Sequence, residues 1–149
     1  MDTYLFYLYT FSLLLIVFGY LISIYFFKYS KGKIPSKVSW LPSIVQIGDC
    51  RCDEIINTRF GRSFGRSNAY WAMWYFVILF ALVMCQWIAD WPGVIPIFFI
   101  TLLALARSIY LAWALVVLKV MCRPCITAHM INFLLLLIFG SLVWPELIL

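Results

Sequence analysis

The sequence predicts an all-α integral membrane protein: a four-transmembrane-helix bundle with a long capping loop between helices 1 and 2. Two observations carry this. Hydrophobic residues make up 66% of the 149-residue chain and charged residues only 11%, a balance far outside that of soluble domains. Four apolar runs are each long enough to cross a hydrocarbon core, which takes about 20 residues, and nearly all the charges fall between them.

The first run, 4–27, contains no charge. It has no basic n-region or small-residue cleavage site and is too long for a removed signal peptide, so it is expected to remain as the first membrane helix. The second run, 68–89, ends at Asp90-Trp91-Pro92-Gly93, where a charge and two breakers predict a tight turn at the membrane surface. The third covers 94–118. The fourth covers 122–144, with Pro145-Glu146 marking its exit. Short connections leave no room for a second domain, so residues 1–149 are expected to form a single membrane domain. The one sizeable extramembrane piece is 28–67, whose Gly, Pro, Ser and charged residues exclude another span. Within it, Trp40-Leu41-Pro42-Ser43-Ile44-Val45-Gln46-Ile47 is apolar but too short to cross. It is suited either to close over the bundle as a lid or to lie in the interface as an anchor.

The chemistry resides in the cysteines. Cys122-Arg123-Pro124-Cys125 stands where the fourth apolar run begins. A helix N-terminus carries roughly half a positive charge and unpaired N–H groups, which stabilise a thiolate. Lys119 and Arg123 add full charges, and Pro124 suits a first helical turn. Two thiols on one turn can close into a disulfide and reopen, the chemistry of thiol–disulfide exchange. Cys50 and Cys52 lie in the loop between spans one and two, and Cys122 and Cys125 between spans three and four. An even number of crossings separates them, so all four can meet at one surface. Cys85 lies deep in span two and reads as a plain apolar filler. A closed zinc site of four thiolates is the structural alternative, but a C-x-C pair and a C-x-x-C that opens a membrane helix suit a relay better, and no metal is expected.

The segments around these cysteines resemble the vitamin K epoxide reductase family, closest to its animal-type branch. The likeness covers Cys52 with Thr58-Arg59-Phe60-Gly61-Arg62-Ser63-Phe64-Gly65, then Ser67-Asn68, then Ser108-Ile109-Tyr110-Leu111-Ala112-Trp113. It continues through Cys122-Arg123-Pro124-Cys125-Ile126-Thr127 to Asn132, in family order. The resemblance implies a four-helix bundle that holds a quinone near Cys122 and Cys125. On that basis Cys125 faces the quinone, Cys122 exchanges with the loop, Cys52 reaches Cys122, and Cys50 is the outer shuttle. Asn68 would donate a hydrogen bond to a quinone oxygen. His129 stands where vertebrate members have a tyrosine, and an imidazole can donate to a quinone oxygen or take up a proton. The sequence departs from the animal pattern in separating its loop cysteines by Arg51 alone and in having a shorter loop before Asn68.

Two features stand apart from these motifs. Arg107 sits near the middle of span three, and no acidic residue occurs inside any span. A charge at that depth costs about 2.5–3.5 kcal/mol on insertion scales, so contact with a substrate tail or a lipid headgroup is one reading and snorkelling the other. The basic residues Lys28, Lys31, Lys33, Lys37, Arg51, Arg59, Arg62 and Arg66 all fall in the first loop, and Lys119 and Arg123 share its side. Counting charges places that side in the cytoplasm. The resemblance implies the opposite, an active site facing the oxidising lumen or periplasm.

The reading that follows is a membrane quinone–thiol oxidoreductase. It would reduce vitamin K epoxide, vitamin K or another quinone (menaquinone or ubiquinone) with electrons from a thioredoxin-like thiol protein. It is expected to be a monomer in the bilayer without nucleic-acid partners, in the endoplasmic reticulum membrane if eukaryotic and the inner membrane if bacterial. Its basic loop would help dock the partner or anionic lipid. A disulfide-generating oxidase confined to ubiquinone or menaquinone is the alternative within enzymes. A non-enzymatic membrane protein that binds metal through its cysteines is the alternative outside them.

Overall fold

The computed structural model describes residues 3–48, 50–89 and 93–148. It has four helices long and apolar enough to cross a membrane: α1 (Thr3–Ser30), α3 (Asn68–Ala89), α4 (Val94–Leu118) and α5 (Arg123–Ile148). Between α1 and α3 lie a short helix α2 (Cys52–Ile56) and a two-stranded antiparallel ribbon, β1 (Arg62–Ser63) with β2 (Arg66–Ser67). Hydrocarbon offers the backbone no partners, so an uninterrupted apolar run satisfies its N–H and C=O groups only as a helix. The four predicted spans are the four long helices.

α1 packs against α3 and α5, and α4 packs along α5. The inward faces carry Ile16, Phe76, Leu79, Ile97, Leu135 and Phe139, all buried, whereas Leu14, Ile78, Leu103 and Leu137 are exposed on the outward faces. That inversion of soluble habit fits a lipid surround. Polar side chains inside the bundle bond to their own helix: the hydroxyls of Ser12, Ser23 and Thr101 donate to the carbonyls of Tyr9, Gly19 and Phe98. At Gly19 a Cβ would overlap the ring of Phe76, so the absence of a side chain sets the approach of α1 to α3.

Helix ends follow local chemistry. Pro96 lies in the first turn of α4, where its missing N–H removes no helical bond. Lys119 takes the left-handed conformation (φ 53°) after α4, with the Val120 N–H bonded to the Leu115 carbonyl at 3.1 Å, the geometry that closes many helix C-termini. α5 then starts with the Ile126 N–H on the Cys122 carbonyl at 3.0 Å. The fourth helix does not stop at Pro145-Glu146 but runs to Ile148. Pro145 removes one N–H from the last turn and leaves the Ser141 carbonyl without that helical donor. Asp90, Trp91 and Pro92 of the expected turn lie outside the described residues. On its far side the Gly93 N–H bonds to the Gln86 side-chain oxygen at 2.6 Å.

The loop closes over the bundle. Leu41, Val45 and Ile47 are buried and join the same apolar core as the helices, while Trp40 and Ile44 point outward. The buried Tyr25 of α1 pins this segment, since its phenol donates to the Ser36 carbonyl at 2.5 Å and accepts from the Ile47 N–H at 3.0 Å. Gln46 knots the turn by bonding both the N–H and the carbonyl of Val38 and the carbonyl of Leu41. The cap is thus tied to α1 through Tyr25 and to itself through Gln46, and Ile47 is a fixed point in the loop.

Candidate active site

Cys122 and Cys125 form a disulfide across the first turn of α5, with Cα atoms 5.3 Å apart. The two sulfurs serve different sides. Cys125 lines a half-open cavity of about 700 Å³ whose walls come from all four long helices, α2 and the ribbon. Cys122 is fully buried, and its sulfur lies 3.1 Å from that of Cys52, itself fully buried at the start of α2. A thiol so close to a disulfide sulfur is within reach of exchange. Cys50 carries a thiol, is half-buried and is held by its N–H on the Ile47 carbonyl at 2.9 Å. Cys85 is exposed on α3 rather than packed as an apolar filler, and it does not line the cavity.

Two polar groups interrupt the apolar cavity wall. Near the ribbon, Asn68 opens α3, and its N–H is held by the Gly61 carbonyl at 2.9 Å. Its Oδ1 accepts from Ser63 Oγ at 2.9 Å and from Arg107 Nη2 at 3.2 Å, while its Nδ2 donates to the Phe60 carbonyl at 2.5 Å. Arg107 Nη2 also donates to Ser63 Oγ at 2.5 Å, and the guanidinium lies 5.0 Å from the ring centre of Tyr110. The Ser63 carbonyl accepts from Trp71 Nε1 at 2.9 Å. Arg107 is therefore held by the loop and α3, and it also lines the cavity.

The second group lies along α5. Cys125, His129 and Asn132 follow the spacing of one helix face, and all three line the cavity. Asn132 Nδ2 donates to Ser108 Oγ at 2.8 Å. Its Oδ1, His129 Nε2 and the Tyr75 hydroxyl are buried without a hydrogen-bond partner among the described residues. Buried polar atoms are normally paired, and these three belong to residues that line a single cavity.

Asn68 and His129 are thus both in the cavity wall with Cys125. Sequence reasoning did not assign Ser63, Tyr75, Ser108 or Asn132 to the site. Signals existed for two of them: Asn132 lies seven residues after Cys125 and Tyr75 seven after Asn68, two helical turns in each case.

A model of the vitamin K epoxide reductase family matches residues 10–139, most of the chain. The chain belongs to that family. The match takes in the cap, all five cysteines and every polar residue of the cavity named above. Members are membrane quinone–thiol oxidoreductases, so this multi-pass membrane protein is an oxidoreductase that works with quinones and thiol partners. No individual curated protein matches the chain.

Proposed function

We propose that the protein carries electron pairs from a thioredoxin-like dithiol partner to a quinone or quinone epoxide, vitamin K being the leading candidate, in the manner of the animal-type branch. One observation supports this most: the Cys122–Cys125 disulfide has one sulfur on the cavity and the other 3.1 Å from Cys52. A quinone in the cavity would meet Cys125, and electrons arriving from outside would enter at Cys122.

The steps balance as thiol–disulfide exchange followed by quinone reduction. The Cys52 thiolate attacks the Cys122 sulfur, and the Cys122–Cys125 bond breaks to release the Cys125 thiolate. Cys50 then attacks Cys52, forming a Cys50–Cys52 disulfide and freeing Cys122. The partner dithiol reduces that disulfide and becomes oxidised. Cys125 adds to the quinone ring, and Cys122 attacks the Cys125 sulfur. The electron pair of the broken carbon–sulfur bond stays on the ring, which takes up two protons to become the hydroquinone. With an epoxide the products are the quinone and water.

Asn68 would donate to one quinone oxygen and His129 would contact the head group from α5. A cavity of about 700 Å³ is within the usual range for organic ligands and exceeds a naphthoquinone head, leaving room for the start of a tail. The active site would face the lumen of the endoplasmic reticulum, or the periplasm in a bacterium, because a dithiol relay needs an oxidising compartment.

The test is anaerobic turnover by purified protein with dithiothreitol, comparing vitamin K epoxide, menaquinone and ubiquinone side by side. Hydroquinone should form and Cys125→Ala should abolish it, while Cys125→Ser should trap a Cys52–Cys122 mixed disulfide visible on non-reducing gels. Turnover of menaquinone or ubiquinone without any epoxide reduction would favour the disulfide-generating oxidase. Wild-type turnover by Cys125→Ala would reject the scheme.

A further inference from the structure

Arg107 is not needed by the cysteine relay, yet among the described residues it is the one arginine or lysine in the wall of the cavity. No carboxylate pairs with it among the described residues, where the ion pair formed is Arg51 with Glu54. Its polar partners are Ser63 and Asn68, reached across 44 and 39 residues of sequence. An arginine brought to the middle of a membrane helix and spent on neutral groups has another use.

The hydrogen-bond inventory shows what it does to Asn68. A guanidinium can only donate, so the Asn68 atom facing Arg107 must be the carbonyl oxygen and the amide cannot flip. Nδ2 then carries two N–H groups. One goes to the Phe60 carbonyl, and among the described residues no second acceptor holds the other, on a residue that lines the cavity. A cation on the oxygen of an amide also draws electron density toward it, which strengthens the remaining N–H as a donor.

We propose that Arg107 is a positioning residue for quinone reduction. It locks Asn68 with an N–H toward the cavity and supplies, through that amide, positive charge where a quinone oxygen becomes negative. This rests on the proposed function. The quinone oxygen gains charge as the electron pair passes from sulfur to the ring, and donors fixed in advance around such an oxygen favour the transition state over the ground state. Arg107 should therefore act on kcat more than on KM.

The experiment is a double-mutant cycle on purified full-length protein with dithiothreitol and menaquinone. Arg107→Met should lower kcat about tenfold or more with KM changed less than about threefold, and Arg107→Lys, which keeps a charged donor, should recover most of the loss. In Asn68→Ala the same Arg107→Met change should matter less than about twofold, because the residue it acts through is gone. A purely structural arginine would give losses that multiply in the double variant, and that result overturns the proposal, as does an unchanged kcat in Arg107→Met. Should Arg107→Met fail to fold, Arg107→Lys against Arg107→Gln carries the test, with the lysine variant expected to be at least about fivefold faster and equal rates rejecting the role of charge. A wild-type protein that reduces no quinone defeats the proposed function and this inference together. Normal quinone reduction with the cycle outcome reversed defeats this inference alone.

Discussion

His129 Nε2 and the Tyr75 hydroxyl are buried without hydrogen-bond partners among the described residues, and each such atom costs about 1–3 kcal/mol of stability. Replacing His129 with Phe removes one of these atoms and keeps an aromatic ring of similar shape. His129→Phe should therefore raise the thermal unfolding midpoint in detergent while weakening quinone use, with KM up several-fold. A variant that loses both stability and activity would instead mark His129 as a packing residue. The cysteines divide differently. Cys52 meets Cys122 at 3.1 Å and Cys50 stands two residues outside it, so electrons from a bulky protein dithiol should enter at Cys50. Cys50→Ala and Cys52→Ala are expected to lose most turnover driven by a thioredoxin-like protein and to keep much of it with a small permeant thiol, which can attack the disulfide at the half-buried Cys125 sulfur on the cavity. Normal turnover of Cys50→Ala with the protein reductant would demote Cys50 to a bystander.

Elements differ in how much of their placement hydropathy can encode. The four long helices were legible because hydrocarbon leaves an apolar run no other fold, and parity of crossings was enough to bring Cys52 to the side of Cys122. The cap was legible only as a polar stretch with an apolar patch. Its turns follow from single bonds such as Tyr25 to Ile47 and Gln46 to Val38, which no periodicity announces. The polar group of Arg107, Ser63 and Asn68 is harder still, since it joins three elements across 39 to 44 residues. Gly61 shows how one element fixes another. A Cβ there would overlap the Ile55 carbonyl at the end of α2, and the Gly61 carbonyl receives the first N–H of α3. Backbone cannot move aside as a flexible side chain can, and overpacking of this kind costs about 1–3 kcal/mol. Gly61→Ala should therefore lower the thermal midpoint and also slow quinone turnover, because it shifts Asn68 against α2 and Cys52. Loss of stability with full specific activity would show that α3 and the cap are positioned independently of each other.

At the scale of the whole molecule two physical rules oppose each other. Ten of the eleven basic residues, all but Arg107, lie on the side of the active site, and the statistical charge rule would keep that side in the cytoplasm. Thiol relays that form disulfides in partners work where oxidised thiols persist, outside the cytosol. The folded protein gives many of these cations local partners. Arg51 pairs with Glu54, Arg59 lies over Phe60, Arg66 over Tyr70 and Lys31 over Phe27. They contribute to the cap and to an electropositive face suited to an acidic partner or anionic headgroups, uses unrelated to insertion. On the proposed function, a relay that forms disulfides in a partner, the active-site face should be exoplasmic, where such disulfides persist. Four crossings put Thr3 and Trp144, the outer ends of the first and fourth spans, on the opposite face. A fluorescent protein fused at the C-terminus should then fluoresce in the bacterial cytoplasm, and alkaline phosphatase fused at the same point should be inactive, with quinone turnover confirming that each fusion is folded. Active phosphatase on a catalytically competent fusion would place the relay in the cytosol, and the partner would then have to be a cytosolic dithiol rather than a resident of an oxidising compartment.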